Sequence, residues 1–335
     1  MSDELRFGVV GLAGMGTTHA DAVRETDGAT LVAGADLSAD ARATFADEYD
    51  VATYADAATM AADTDLDAVS VCTPNGTHAD VVPALAEAGV HVLCEKPLDV
   101  TPERVNRVVR ACEDAGVTLG VCLQRRTMGG PRLAREAVAT GRLGSLTLAD
   151  VQVKWKRTAD YYATGWRGTA DLDGGILHTQ ALHGVDLLQW VGGGVEAVCA
   201  GLDTLHHDGI EVPDTAAAAV RFADGGFGTI AASTAVSPQY PITLQVHGTE
   251  GSVRWHQDEL DEYSVPGGDD PDPEPFELGL DHVGLVRDFV HAIRYDREPE
   301  VSGRDALPAH DVVFAAFESA ERGEWVDTDD VRESV

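Results

Sequence analysis

Five short apolar runs punctuate the first 123 residues, and most of the intervals between them are long enough for a helix. The runs are Leu5–Gly11, Thr30–Asp36, Ala68–Cys72, His91–Cys94 and Thr118–Leu123. Short runs with no polar alternation suit a parallel sheet covered by helices on both faces. The intervals carry helix signals. One helix runs from about Gly14 to Glu25, and Ser38 caps a second that reaches Tyr49. A third lies near Ala79–Ala88. Thr101 followed by Pro102 opens a fourth, which runs to Ala115 and stops at Gly116. This alternation predicts an α/β doubly wound parallel sheet, a Rossmann domain, over residues 1–123.

The pattern then changes. Leu146–Trp155 alternates strictly, with Val151, Val153 and Trp155 on one face and Asp150, Gln152, Lys154 and Lys156 on the other. A helix is expected at about Ile176–Val191. Further strands are expected at Val195–Leu202, Thr215–Phe222, Phe227–Ala235, Ile242–His247 and Ser252–Trp255, with Asp224-Gly225-Gly226 as a hairpin turn. Pro266–Pro275 reads as an acidic surface loop, and helices near Asp281–Tyr295 and Arg304–Glu321 close the chain. Clustered strands with few helices predict an α+β domain over residues 124–335, built on an antiparallel or mixed sheet.

Charge narrows the functional classes. The chain has 24 Lys+Arg against 57 Asp+Glu, a net charge of −33. Such a surface repels nucleic acid and anionic membrane. The acids are spread along the chain, with one dense patch from Asp258 to Glu277, and 44% hydrophobic residues argue against disorder. Only three of the cations are lysine, namely Lys96, Lys154 and Lys156. Acidity of this kind suits a halophilic protein, because at about 1 M salt the Debye length is roughly 3 Å and self-repulsion fades. No apolar run is long enough for a membrane span, and Met1–Arg6 lacks the basic and apolar parts of a signal peptide, so a cytoplasmic location is expected. Cys72, Cys94, Cys112, Cys122 and Cys199 form no Cys-x-x-Cys pair and read as free thiols. His206-His207-Asp208 lacks further residues at ligand spacing and reads as a loop rather than a metal site.

The turn after the first run points to a dinucleotide. Gly11 and Gly16 fit the first and third positions of G-x-G-x-x-G, while Ala13 replaces the second glycine and Gly14 relaxes the loop. Pyrophosphate sits at the N-terminus of the helix that follows such a turn. Asp36 ends the second run 20 residues past Gly16, where a carboxylate accepts from the adenosine ribose hydroxyls and repels a 2′-phosphate. NAD is therefore expected over NADP, with Ser38 and Arg42 close enough to allow NADP.

Three further segments carry a resemblance: Cys72-Thr73-Pro74-Asn75, Glu95-Lys96-Pro97, and Gly174-Gly175 with Gln180, His183 and Asp186. Trp166-Arg167-Gly168-Thr169, Phe227-Gly228-Thr229 and Asp288-Phe289-Val290 with Ala292-Ile293 extend it over most of the chain. Together they resemble the glucose–fructose oxidoreductase / inositol dehydrogenase (Gfo/Idh/MocA) family. The resemblance implies a large open, mostly antiparallel sheet in the second domain. The exposed face of such a sheet needs cover, so a homo-oligomer, dimer or tetramer, is expected. It also implies hydride transfer between a hydroxyl of a sugar, sugar acid or cyclitol and a nicotinamide. Cofactor contacts would come from Gly11, Ala13, Gly14, Met15, Gly16, Asp36, Thr73, Pro74, Asn75, His78, Glu95, Lys96, Pro97, Gln124, Trp166 and Arg167. Some relatives instead retain the cofactor and cleave glycosides, and a non-catalytic dinucleotide sensor is a third reading.

Oxidising an alcohol needs a group within reach of the hydroxyl to take its proton. Lys96 follows a strand end, where open α/β sheets bind ligands. Thr179 and His183 are four apart, and Gln180, His183 and Asp186 step by three, so a helix would bring them to one face. The family often has Asp or Asn where Thr179 stands, and a threonine orients a histidine without adding charge. Lys96, His183 and Thr179 are the expected catalytic set. Lys96, Lys154, Tyr161, Tyr162, Gln180 and His183 are the expected sugar contacts. Lys154, Arg157, Tyr161, Tyr162, Trp166 and Arg167 form a polar-aromatic stretch ahead of the His183 helix, similar to segments that line the sugar site in relatives. Rings stack on sugar faces, cations bind hydroxyls or carboxylates, and three or more cations suit an acidic or phosphorylated sugar.

Overall fold

The structure, a computed structural model, describes residues 4–257, 259–267, 278–279 and 281–333. The chain forms two compact units: Met1–Gln124 with Leu278–Ala306, and Arg125–Glu277 with Leu307–Val335.

In the first unit, strands β1 (Leu5–Val10), β2 (Ala29–Ala35), β3 (Ala52–Tyr54), β4 (Ala68–Val71), β5 (His91–Cys94) and β6 (Leu119–Val121) form one sheet in the order β3-β2-β1-β4-β5-β6. Every pairing is parallel. The helices between them are α1 (Met15–Arg24), α2 (Ala39–Tyr49), α3 (Ala57–Asp63), α4 (His78–Glu87) and α5 (Pro102–Ala115). Local signals set their ends. Ser38 accepts the Ala41 N–H at the start of α2, and Thr101 accepts the Arg104 N–H at the start of α5 with Pro102 in its first turn. Gly116 closes α5 in the left-handed region at φ 67°. The short β3 and α3 were not read from the sequence.

The second unit opens with α6 (Gly129–Ala139), β7 (Leu146–Lys154), α7 (Ala159–Tyr162) and α8 (Leu182–Val191). Strands β8 (Val195–Asp203), β9 (Thr215–Phe222), β10 (Phe227–Ser233), β11 (Thr243–Gly248), β12 (Ser252–His256) and β13 (Glu259–Ser264) follow. After α9 (Asp281–Tyr295) and α10 (Gly303–Arg322) come β14 (Val326–Asp327) and α11 (Thr328–Glu333). The eight strands lie in the order β13-β12-β11-β7-β10-β9-β8-β14. All pairings are antiparallel except β7 with β10. Val151 and Val153 of β7 are buried, and α8 lies over them. A Cβ on Gly184 would stand 2.8 Å from Val151 and 3.0 Å from Val153, so glycine allows the close approach. The Asp224–Gly226 turn joins β9 to β10, with Gly225 and Gly226 at positive φ.

Two readings need correction. The expected helix from Ile176 begins only at Leu182. Gly174 and Gly175 take positive φ, and the Ile176 N–H bonds to Pro213 O. The Ala181 N–H reaches back five residues to Ile176 O, so 176–181 is a wide turn rather than a helix. The second concerns α9, expected within the second domain. It packs in the first unit, where Leu285, Val286, Phe289 and Val290 join Phe7, Val9 and Phe45 in one core. Most of the Pro266–Pro275 loop lies outside the described residues. All five cysteines are free.

Candidate active site

Open parallel sheets bind ligands beyond the carboxyl ends of their strands, where the strand order reverses. In the first unit that point lies between β1 and β4. Because the strands are parallel, the segments after β1, β2, β4, β5 and β6 emerge at one edge. They carry Gly11–Gly16, Asp36, Thr73–Asn75, Glu95–Pro97 and Gln124. The first-unit residues singled out in the sequence thus share an edge, apart from His78, which is interior.

The glycine turn has the required geometry. At Gly11 φ is 86°, and a Cβ there would lie 2.7 Å from Cys72 backbone atoms. At Gly16 a Cβ would lie 1.8 Å from Gly11 O. Only glycine fits either position. Ala13, Gly14 and Met15 are exposed, and Gly14 at φ 58° has open space beside it. No side chain caps α1 and its first turn holds no acid, so this helix end suits an anion. The Asp36 carboxylate is fixed by N–H donors, Leu12 to Oδ2 and Ser38 to Oδ1, each at 2.8 Å. A carboxylate has about four acceptor positions, so each oxygen retains one for a ribose hydroxyl. These features fit a dinucleotide, which the residues of this edge would hold.

Lys96 is half-buried, and both its neighbours are pinned. Glu95 Oε1 lies 3.0 Å from His19 Nε2 and 3.2 Å from His282 Nε2, while Oε2 accepts the Lys96 N–H at 3.2 Å. Burial raises the Glu95 pKa, but the hydrogen bonds and charges of the two histidines outweigh it and hold the group well below the usual carboxylate range. Pro97 O lies 2.8 Å from His78 Nδ1, and Thr73 O lies 3.0 Å from His78 Nε2. His78 is fully buried, and its ring ties the Thr73 and Pro97 loops together. Burial lowers its pKa, opposed by those carbonyls and by Asp99 and Glu95. The sequence reading missed His19 and His282. Their ligand atoms lie within 4.8 Å of each other and of Glu95.

The second unit carries the other set. His183 is buried in the first turn of α8. Thr179 and Gln180 stand on the wide turn before it, so the expected common helical face does not extend to them. Thr179 Oγ1 lies 2.9 Å from Gly175 O and 2.5 Å from Gln180 Oε1, and Gln180 Nε2 donates to Tyr161 Oη at 2.6 Å. Asp186 receives a two-pronged bond from Arg126, Nε to Oδ2 at 2.9 Å and Nη2 to Oδ1 at 2.5 Å, with both side chains buried. Tyr162 Oη lies 2.9 Å from Thr234 Oγ1, and its ring packs on His207 at 4.7 Å between centroids. His207, read as part of a solvent loop, is half-buried here. The loop bends because Asp214 accepts the N–H groups of Leu205, His206 and His207. Lys154 Nζ donates to Gln152 Oε1 at 2.6 Å, and Arg167 stacks over Tyr161 and Trp166.

Comparison with known proteins agrees with this architecture. Residues 5–123 match the model of an oxidoreductase family with an NAD-binding Rossmann fold, and residues 132–254 match the GFO/IDH/MocA C-terminal domain. The chain is 29% identical to the inositol 2-dehydrogenase of Rhizobium meliloti, covering 94% of this chain and 96% of that one. It is also 29% identical to D-xylose 1-dehydrogenase (NADP(+)) 2 of Haloferax volcanii, covering 97% and 100%. Among solved structures, the WlbA dehydrogenase from Bordetella pertussis, in complex with NADH and UDP-GlcNAcA, superposes with a TM-score of 0.89 at 33% identity. The match covers 97% of this chain and 98% of that one.

Proposed function

Because the chain belongs to the Gfo/Idh/MocA family of oxidoreductases, we propose that it is an NAD(P)-dependent dehydrogenase acting on a CH–OH group of a sugar, sugar acid or cyclitol. The observation that carries this is the shared carboxyl edge of the first unit, where a glycine turn that admits no side chain stands with Asp36 and Lys96. A bound nicotinamide supplies the hydride acceptor. The chain supplies the rest. The open N-terminus of α1 holds the pyrophosphate and Asp36 the adenosine ribose. In the first unit, Thr73, Pro74, Asn75, Glu95, Pro97 and Gln124 are the residues for the nicotinamide side. Lys96 takes the hydroxyl proton, with His183 as the second proton-handling group. Gln180, Tyr161, Tyr162 and Lys154 hold the sugar.

The test is a panel of sugars, uronates and cyclitols with NAD or NADP in molar KCl, read as absorbance of the reduced cofactor. Net NADH formation is expected with at least one of them. Glycoside cleavage without net NADH sinks the dehydrogenase reading. NAD should be the better cofactor, and Asp36→Ser should narrow its advantage over NADP at least tenfold. Equal or tighter NADP binding by the wild type removes the role given to Asp36. It would point to Arg42, whose guanidinium caps Asp36 O at 2.7 Å and Leu37 O at 3.1 Å.

The net charge of −33 supports a halophilic setting, and among the described residues no helix is long and apolar enough to cross a membrane. Salt should therefore raise the melting temperature steadily from low ionic strength to molar KCl, by screening self-repulsion. A flat melting curve ends that reading. Homo-oligomer formation is supported by the exposed pair Leu148 and Phe227, register partners on neighbouring strands of the second sheet.

A further inference from the structure

The polar-aromatic stretch of the second unit holds its cations in an unusual way for so acidic a chain. Several arginines face carboxylates: Arg104 faces Asp80 and Asp99, Arg126 faces Asp186, and Arg332 faces Asp311. Arg157 and Arg167, among the described residues, make no ion pair. Arg167 lies 4.2 Å and Arg157 5.1 Å from the centroid of the same Tyr161 ring, so one ring carries two guanidinium groups. Stacking satisfies their faces but not their N–H edges. Arg157 Nε and Arg167 Nε are shielded from water, and no acceptor faces either among the described residues. Arg157 Nη1 makes only a long contact, 3.3 Å, to the neighbouring Lys156 O.

Two buried acids of the same unit are engaged elsewhere. Asp214 accepts three backbone N–H groups, and Asp173 Oδ1 accepts the Gly175 N–H at 2.9 Å. Lys154 adds a third positive charge, held among the described residues by the neutral Gln152 amide. The central ring is itself held: Gln180 donates to Tyr161 Oη, and Thr179 supports Gln180 on the turn that leads into the His183 helix. Buried donors without acceptors are rare in native proteins and call for a partner. A chain carrying −33 also repels anions at long range, so an anionic substrate needs local cations free of carboxylates.

We infer that the substrate is a sugar bearing an anionic oxygen group, a carboxylate or a phosphate, which Arg157 and Arg167 receive beside Tyr161. The inference rests on the dehydrogenase reading for the identity of the site and adds the class of substrate. A planar guanidinium fork matches either oxyanion.

The test compares hexuronates, their uncharged amides and hexose 6-phosphates at one fixed KCl concentration. Two readouts are used: NADH formation, and calorimetric binding to the NADH-loaded protein. The wild type should favour a charged sugar over the matching amide at least tenfold, in kcat/KM or in Kd, and the uronate and phosphate arms separate the two anions. Arg157→Gln and Arg167→Gln should each collapse that preference below threefold, while Arg157→Lys keeps part of it. Circular dichroism and the melting temperature of each variant check that it folds. Equal handling of charged and uncharged sugars by the wild type overturns the inference. So does a preference that survives both glutamine variants, or no binding by any charged sugar. A charged sugar that binds through these arginines without NADH formation supports the inference and rejects the dehydrogenase reading instead.

Discussion

Lys96→Arg should fold, bind NAD as the wild type does and lose about 10²- to 10⁴-fold in kcat, the range that a positioned acid–base group contributes. Arginine keeps the positive charge and much of the length, but it does not release a proton near neutrality, whereas lysine can when desolvated. The substitution therefore separates charge from proton transfer. The same change at the other two lysines should give a graded series. Lys154, bonded to Gln152, should show a several-fold rise in KM with kcat little changed. Lys156 is exposed and should change little. Single-turnover kinetics and NAD titration of each variant are the measurement. A Lys96→Arg variant that retains substantial turnover would leave His183 as the group that moves the proton.

Asp186→Asn should be among the most destabilising single substitutions in the second unit, by roughly 3–5 kcal/mol in denaturant unfolding. Asp186 was part of the sequence resemblance, yet its carboxylate grips Arg126 where neither side chain meets solvent, and Arg126 lies over the Trp190 ring. Removing the charge breaks a two-pronged ion pair in a medium that cannot replace it. Glu196→Gln is the control. Glu196 pairs with Arg221 in the open, with side chains 51% and 41% exposed, so the loss should be at most about 1 kcal/mol. Equal losses at the two sites would show that burial does not set the strength of the Arg126–Asp186 pair.

What could be read from the sequence was local. Buried parallel strands are short apolar runs, and Ser38, Thr101, Pro102 and Gly116 act within a few residues of themselves, so those helix ends fall where the residues put them. The glycine turn was legible for the same reason: its clashes involve Gly11, Gly16 and the next strand end. Spacing misled where a distant partner intervened. Thr179, Gln180 and His183 have helical spacing, but Pro213 O captures the Ile176 N–H and the chain enters α8 late. Strand β13, Glu-Leu-Asp-Glu-Tyr-Ser, is too acidic to read as a strand and forms because β12 offers it an edge. The grip of His282 on Glu95 spans 187 residues, and no pattern within a window reveals it.

The placement of α9 has a consequence for how the protein is made. Phe289 packs against Phe7 with the two rings steeply inclined, and Leu285, Val286 and Val290 fill the same core. The core around the first strand is therefore closed by residues made about 280 positions after it. At about 5–20 residues per second, the first strands wait roughly 15–60 s for that helix. Through that interval the apolar face that α9 will cover is open to water. A chain released before about residue 290 would carry every cofactor-side loop of its first unit on a core still lacking one of its walls.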